Sequence, residues 1–255
     1  MPEIAEVKIM AEYINQVCNN LAFSKIRKSK VTKVETDLKI PFDIFRLVAE
    51  SRGKELKLTL KSIHTEDVKT LICIMGMSGN WVLTEIGKQP KHSHLMFETT
   101  THCLSFVDVR RFGKWWWGDW SQNRGPDPLM EWDSFVNNLH TNSNKKIFEK
   151  PIYQLMLDQK YFNGCGNYLR SEILYRSDIN PFMSAKKAIN DENFLQNCKT
   201  IIEDAYIIGG GQLKDWVNQL NPDKETFNKW LKCYGKLESI KDGGRTFWYD
   251  SKWKK

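Results

Sequence analysis

Two residues at the start of the chain have the types that covalent chemistry at a sugar carbon requires. Removal of Met1, which a following Pro permits, leaves Pro2 with a secondary amine at the chain terminus, and Glu3 adds a carboxylate one residue on. An α-amino group titrates near about 7.7–8.0, so it keeps a usable neutral fraction where a lysine side chain has almost none. Attack of that amine on a sugar aldehyde carbon gives an iminium. Glu3 could carry the proton transfers that open a deoxyribose ring and expel a base. With Met1 in place the amine belongs to methionine and this chemistry is blocked until it is removed.

A helix must position these two groups. Ile4, Val7, Met10, Ala11, Ile14, Val17 and Cys18 recur at three- and four-residue intervals, which predicts one buried helix face from Ile4 onward. Pro2 then sits at a helix N-terminus, where the partial positive charge disfavours a protonated amine and favours a neighbouring carboxylate. Pro and Glu are also ordinary residues for a helix start. Three residues alone leave both readings open.

Composition narrows the setting. The 255 residues suffice for one large domain or two ordinary ones. With 41% hydrophobic and 27% charged residues, the chain is globular rather than disordered. No apolar run approaches the ~18 residues of a membrane span, and the N-terminus lacks the layout of a signal peptide, so an intracellular protein is expected. A formal charge of +7 points to a polyanionic partner, nucleic acid first. Cys18, Cys73, Cys103, Cys165, Cys198 and Cys233 form no C-x-x-C pair, which argues against structural zinc and for buried free thiols. Several of the tryptophans lie beside basic residues, where a minority could pack on sugar or base.

Residues 22 to about 120 read as strands. Glu55 to Leu60 alternates polar and apolar, as does much of Leu95 to Val107, and Leu71-Ile72-Cys73-Ile74-Met75 suits a strand buried on both faces. Turns fall at residues 77–80 and 87–90, and the whole suggests a β-sandwich or barrel-like domain. Gly125-Pro126-Asp127-Pro128 breaks regular structure and marks a boundary. Beyond it helices are predicted over 131–140, 151–158, 167–177, 191–208 and 224–232. Gly164-Cys165-Gly166-Asn167, entering one of these helices, could expose backbone N–H groups to a phosphate, or could simply reverse the chain. Asp242-Gly243-Gly244 reads as a hairpin turn, with Arg245 directly after it.

Taken in order, these motifs resemble the Fpg/Nei family (formamidopyrimidine-DNA glycosylase and endonuclease VIII) over nearly the whole chain. The likeness rests on Met1-Pro2-Glu3, Arg52-Gly53-Lys54, Gly76-Met77-Ser78-Gly79, Asp108 through Gly113, Gly125 through Pro128, and Leu157-Asp158-Gln159 through Asn167. Most members close with a four-Cys zinc finger. Here Cys233-Tyr234-Gly235 followed by Gly244-Arg245-Thr246-Phe247-Trp248 resembles the zincless finger of the vertebrate endonuclease VIII-like type.

The resemblance implies roles. Pro2 is the expected Schiff-base nucleophile, Glu3 its acid/base partner, and Glu6 a carboxylate that orients water and the amine. Lys54, on a strand facing them, binds phosphate and assists proton transfer, although elsewhere such a lysine is a solvated strand residue. Asn167 and Arg245 clamp the phosphates flanking an extruded nucleotide. Met77, Arg110 and Phe112 fill the gap it leaves, recovering part of the cost of unstacking; simple core packing is the alternative for Met77 and Phe112. The usual Pro-Glu-Gly-Pro-Glu start is Pro2-Glu3-Ile4-Ala5-Glu6 here, and the base-reading residue has no clear counterpart, with Gln212 or Lys214 as substitutes.

The expected molecule is a multi-domain α+β protein. A β-sandwich with a leading catalytic helix spans 1–124, a helical domain with a helix–two-turn–helix motif spans 125–232, and a metal-free hairpin finger spans 233–255. The resemblance implies a monomeric, cofactor-free DNA glycosylase and AP lyase in base excision repair, working at DNA inside the cell. Its partner is double-stranded DNA with damaged bases or abasic sites, or single-stranded DNA, lying in a basic cleft between domains. The alternatives are a non-catalytic binder of damaged or abasic DNA and an RNA-binding module.

Overall fold

The structure is a computed structural model that describes residues 2–212 and 216–254. The chain forms two compact units that are discontinuous in sequence. Pro2, residues 6–121 and residues 211–222 make the first; residues 3–5, 122–210 and 223 onward make the second.

In the first unit the helix α1 (Ile4–Cys18) precedes two four-stranded antiparallel sheets. One has the order β1 (Lys25–Lys28), β6 (Ser93–Glu98), β7 (His102–Val107), β5 (Asn80–Glu85). The other runs β2 (Phe45–Arg52), β3 (Glu55–Ser62), β4 (Val68–Ile74), β8 (Lys114–Trp117). Aromatic rings join the sheets: Phe45 meets Phe97 edge-on at 6.4 Å and Phe106 meets Trp115 at 6.0 Å. Such pairs add specific geometry to the area they bury. The sandwich expected from strand spacing is therefore present.

Polar side chains of α1 fasten it to the edge strands of both sheets. Asn15 donates to the Ala49 carbonyl at 2.8 Å and accepts the Ala49 N–H at 2.7 Å, occupying groups that β2 would otherwise leave unpaired. The Tyr13 hydroxyl accepts the Leu83 N–H of β5 at 2.9 Å. The apolar face read from the sequence is buried at Ile4, Val7, Met10, Ala11, Ile14 and Cys18.

The second unit contains α2 (Trp132–Asn142), α3 (Ile152–Leu155), α4 (Asn167–Arg176), α5 (Ala185–Ala188), α6 (Glu192–Ile207) and α7 (Lys224–Trp230), then a hairpin of β9 (Glu238–Asp242) and β10 (Arg245–Tyr249). The helix expected over 151–158 is a single turn. After Leu155 the chain tightens into consecutive i+3 turns, and Asp158 takes the Lys160 N–H on its side chain, which competes with helix continuation. Those turns join α3 to α4, giving the helix–two-turn–helix. The short α5 carries no periodic signal in the sequence.

All six cysteines are free and buried, and burial pushes the Cys18 and Cys233 thiols up to about 12. Among the described residues no three His, Cys, Asp or Glu side chains form a group that could hold a metal, and no helix is long and apolar enough to cross a membrane.

Candidate active site

Glu3 is 2% exposed, and a carboxylate so buried needs donors. They come from the start of α4: Oε1 accepts the Tyr168 N–H at 3.0 Å and Oε2 the Leu169 N–H at 3.4 Å. The unpaired amides and the partial positive charge of a helix N-terminus favour a carboxylate there. The Gly-x-Gly-Asn sequence thus builds an anion site, but the anion is supplied by the chain itself and not by a phosphate. A Cβ on Gly166 would lie 2.5 Å from Glu3 Oε1, and one on Gly164 2.5 Å from Ile4 Cβ. Gly164 also has φ +90° and accepts the Ile4 N–H at 3.1 Å. Both glycines are therefore required by the close approach of residues 3 and 4. Pro2, ahead of α1, is buried, and Met1 lies outside the described residues.

Glu6 is buried on α1 and accepts the Gly211 N–H. It thereby fixes the last glycine of Gly209-Gly210-Gly211, directly before Gln212. Gln212 in that segment is turned to its own loop, donating to the Asn221 carbonyl at 2.7 Å and accepting the Asn218 N–H at 3.3 Å. Lys214 lies outside the described residues. Lys54 is not on a strand: with Gly53 at φ +59° it forms the two-residue turn joining β2 to β3. The turn holds its side chain at the tip of a hairpin rather than on a sheet face.

Met77 comes from one turn and Arg110 and Phe112 from another, and Asp108 ties the two together. The buried Asp108 carboxylate accepts the Ser78 hydroxyl beside Met77, the Arg110 N–H at 3.2 Å and the Gly113 N–H at 2.7 Å. Ser78 Oγ also accepts the Arg110 N–H at 3.1 Å. Above this buried base, the Arg110 guanidinium lies 5.1 Å from the centroid of the Phe112 ring, which is 51% exposed. A planar cation and an aromatic ring are presented as a pair. Met77 is half-buried on the neighbouring turn.

In the second unit, Asn167 opens α4 and its buried Oδ1 has no hydrogen-bond partner among the described residues. Arg245 is exposed at the hairpin tip, immediately after Gly243 and Gly244. The hairpin is anchored by two buried charges on α4. Glu172 accepts the consecutive N–H groups of Lys232 at 3.0 Å, Cys233 at 2.8 Å and Tyr234 at 2.9 Å, and Arg176 completes its partners at 3.3 Å. Arg170, 1% exposed, donates to the Tyr153 carbonyl at 2.9 Å and stacks its guanidinium 4.9 Å from the Phe247 ring centroid. Phe247 stacks in turn on Tyr153 at 4.6 Å. Burial lowers the Arg170 pKa, and the nearby positive charge of Arg245 acts in the same direction. Sequence reasoning placed Asp108 in a motif without giving it a role, and passed over Arg170 and Glu172. The signal available in α4 was slight: Arg170 and Glu172 flank Ser171 between the apolar pairs Tyr168-Leu169 and Ile173-Leu174, and all seven residues are buried.

Comparison with known proteins follows the same lines. Residues 1–115 match the formamidopyrimidine-DNA glycosylase N-terminal domain and residues 124–215 the formamidopyrimidine-DNA glycosylase H2TH domain. Human Endonuclease 8-like 1 is 33% identical over 98% of this chain and 72% of its own length. Formamidopyrimidine-DNA glycosylase of Zymomonas mobilis is 31% identical over 92% of this chain and 89% of its own. The fold matches the Thermus thermophilus Fpg crystal structure with a TM-score of 0.81 at 20% identity, covering 99% of this chain and 98% of that one. It also matches Lactococcus lactis Fpg bound to DNA containing an oxidised pyrimidine, with a TM-score of 0.82 at 21% identity over 99% of each. The chain belongs to the Fpg/Nei family of DNA glycosylases, DNA-binding enzymes of base excision repair.

Proposed function

We propose that this protein is a bifunctional glycosylase and AP lyase acting on oxidised pyrimidines and ring-opened purines in DNA. The observation that carries the reading is the Glu3 carboxylate fixed on the N–H groups of Tyr168 and Leu169, next to Pro2 in the chain. A group that must exchange protons with a sugar gains from being held in one place. After removal of Met1, the neutral Pro2 amine attacks C1′ of a flipped nucleotide, and the C1′–N bond breaks as the base leaves with the amine's proton. The C1′–O4′ bond then breaks, O4′ takes a proton from Glu3, and the Pro2 nitrogen and C1′ become an iminium. The iminium acidifies the 2′ position. Loss of a 2′ proton expels the 3′ phosphate, and a second elimination expels the 5′ phosphate.

In this reading Lys54, Asn167 and Arg245 grip backbone phosphates, Glu6 fixes the loop from Gly211, and Met77, Arg110 and Phe112 occupy the gap in the duplex. The fold relatives that hold damaged DNA support DNA as the partner of this chain. Borohydride reduction in the presence of an abasic or thymine-glycol duplex should trap a covalent complex. Pro2→Gly, or a tag on the N-terminus, should abolish most of it. Wild-type protein that binds these duplexes without crosslinking or nicking would establish the non-catalytic alternative, and salt-sensitive binding to RNA without regard to lesions would favour the third.

A further inference from the structure

Beside the Arg110–Phe112 pair lies a cavity of about 550 Å³, within the range of about 300–1,000 Å³ typical of small-ligand sites. It belongs wholly to the first unit. Val34, Phe112 and Trp116 supply its apolar and aromatic surface, and Lys33, Arg111 and Lys114 its cations; Glu35 is the single acid. One wall is the irregular segment after β1, fastened to β8 by the Thr36 hydroxyl donating to the Trp115 carbonyl at 2.8 Å and by the Trp117 indole donating to the Asp37 carbonyl. Arg111 stands in the left-handed region at φ +55° and reaches the Val31 carbonyl at 3.4 Å, linking the loop that carries Phe112 to the same segment. The groove is thus held open by hydrogen bonds on its far side, while its aromatic lining remains uncovered.

We propose that this groove receives an unpaired nucleotide of the DNA, with the base packed between Trp116 and Phe112 and the phosphate held by Lys33 and Lys114. An excess of two positive charges around an aromatic floor matches an anion attached to a flat ring. Stacking on aromatic faces accepts every base, so the site is indifferent to sequence. The inference rests on the proposed function in taking DNA as the polymer and Arg110 and Phe112 as the residues that enter the duplex. In the proposed reading the damaged nucleotide leaves for Pro2 and Glu3, and the nucleotide opposite it is left without a pairing partner beside the gap that Arg110 and Phe112 enter. Damage chemistry belongs to Pro2 and Glu3, so this groove holds an intact nucleotide and turns nothing over.

The probes are deoxyadenosine monophosphate and a duplex with a one-nucleotide bulge, each tested with the full chain by titration. The monophosphate should shift the Trp116 indole and Val34 methyl NMR signals, with deoxyadenosine and deoxyribose 5-phosphate each binding more weakly. The bulged duplex should bind more tightly than its fully paired counterpart. Val34→Trp, which fills the groove, and the surface double variant Lys33→Glu/Lys114→Glu should each weaken monophosphate binding about tenfold and remove the preference for the bulge. The double variant keeps the test open if Val34→Trp does not fold. Absence of a shift at Trp116, or monophosphate binding unchanged in the double variant, overturns the proposal. Borohydride trapping of the wild type reports on the glycosylase reading alone, so failure of one is distinguishable from failure of the other.

Discussion

Glu172 and Asp108 are both buried carboxylates that gather backbone N–H groups, but what they hold differs. Glu172 takes three consecutive amides at the entrance to the hairpin finger, whose strands continue into a buried stack of Phe247, Tyr153 and the Arg170 guanidinium. Asp108 takes two amides and a hydroxyl at the foot of two turns and leaves Phe112 exposed above them. One carboxylate fixes a whole element from foot to strand. The other fixes only a base and frees the tip. Under the proposed function, this division suits a grip that must return phosphates to one geometry and a probe that must enter duplexes of different sequence. Glu3 on the N-terminus of α4 belongs to the first kind, since both of its oxygens and its nearest glycine are committed.

The sharpest break in that pattern should come at Gly166. In Gly166→Ala the new Cβ displaces the Glu3 carboxylate from the Tyr168 and Leu169 amides. A shift of about 1 Å in a reacting group costs on the order of 10²-fold. The rate of borohydride trapping should fall by about that factor while the far-UV circular dichroism stays native. Trapping at the wild-type rate would show that Glu3 needs no fixed position.

Removing charge from the two anchors should separate them by stability. Hydrogen bonds to charged groups contribute about 1.5–3 kcal/mol each, and an amide in place of the carboxylate turns one acceptor into a donor. Glu172→Gln should destabilise the protein by about 3 kcal/mol, and Asp108→Asn, with one amide fewer to satisfy, by about 1–2 kcal/mol. Urea midpoints measured side by side decide the order, and the reverse order would contradict the comparison.

The elements themselves were largely legible, because periodicity and turn residues are local properties. The α1 face, the paired strands and the Gly243-Gly244 hairpin all follow from them. What could not be read is who partners whom across the chain. The helix start at Asn167 looks like an empty anion site in sequence, because its carboxylate stands 165 positions away at Glu3. Lys54 reads as a strand residue until Gly53 adopts a left-handed conformation and turns the chain beneath it. The 151–158 helix has the right apolar spacing, but Leu157 and Asp158 turn their N–H groups to the carbonyls three residues back and Asp158 then accepts the Lys160 N–H on its side chain. Arg170 and Glu172 are interpretable only once the hairpin has returned to α4.

Phe112 tests the free tip. Because half of its surface is already in water, Phe112→Ala should change stability by no more than about 0.5 kcal/mol. Trapping on a lesion-bearing duplex should nevertheless fall about tenfold, with a smaller loss on a single-stranded substrate, where no gap needs filling. A drop in stability comparable to that of Asp108→Asn would mean that the ring is part of the core and not a probe.

The smallest effect concerns His94, which links the Asp108 region to the first strand. Its Nε2 lies 3.0 Å from the Asp108 carbonyl and its Nδ1 2.9 Å from the Ser29 hydroxyl. Facing the carbonyl, Nε2 carries the proton and donates in the neutral ring. Burial lowers the His94 pKa; the Asp108 carbonyl and carboxylate oppose that, while His92 and Arg111 add to it. The unfolded chain, titrating near about 6.5, therefore binds this proton at a pH where the folded protein does not. Stability from His94 is complete above that value, declines as pH falls below it, and levels off beneath the lowered folded value. Between pH 7.5 and 5.5 the wild type should lose more stability than His94→Gln, read from urea midpoints. An equal or smaller loss in the wild type would remove His94 from the support of the Asp108 turns.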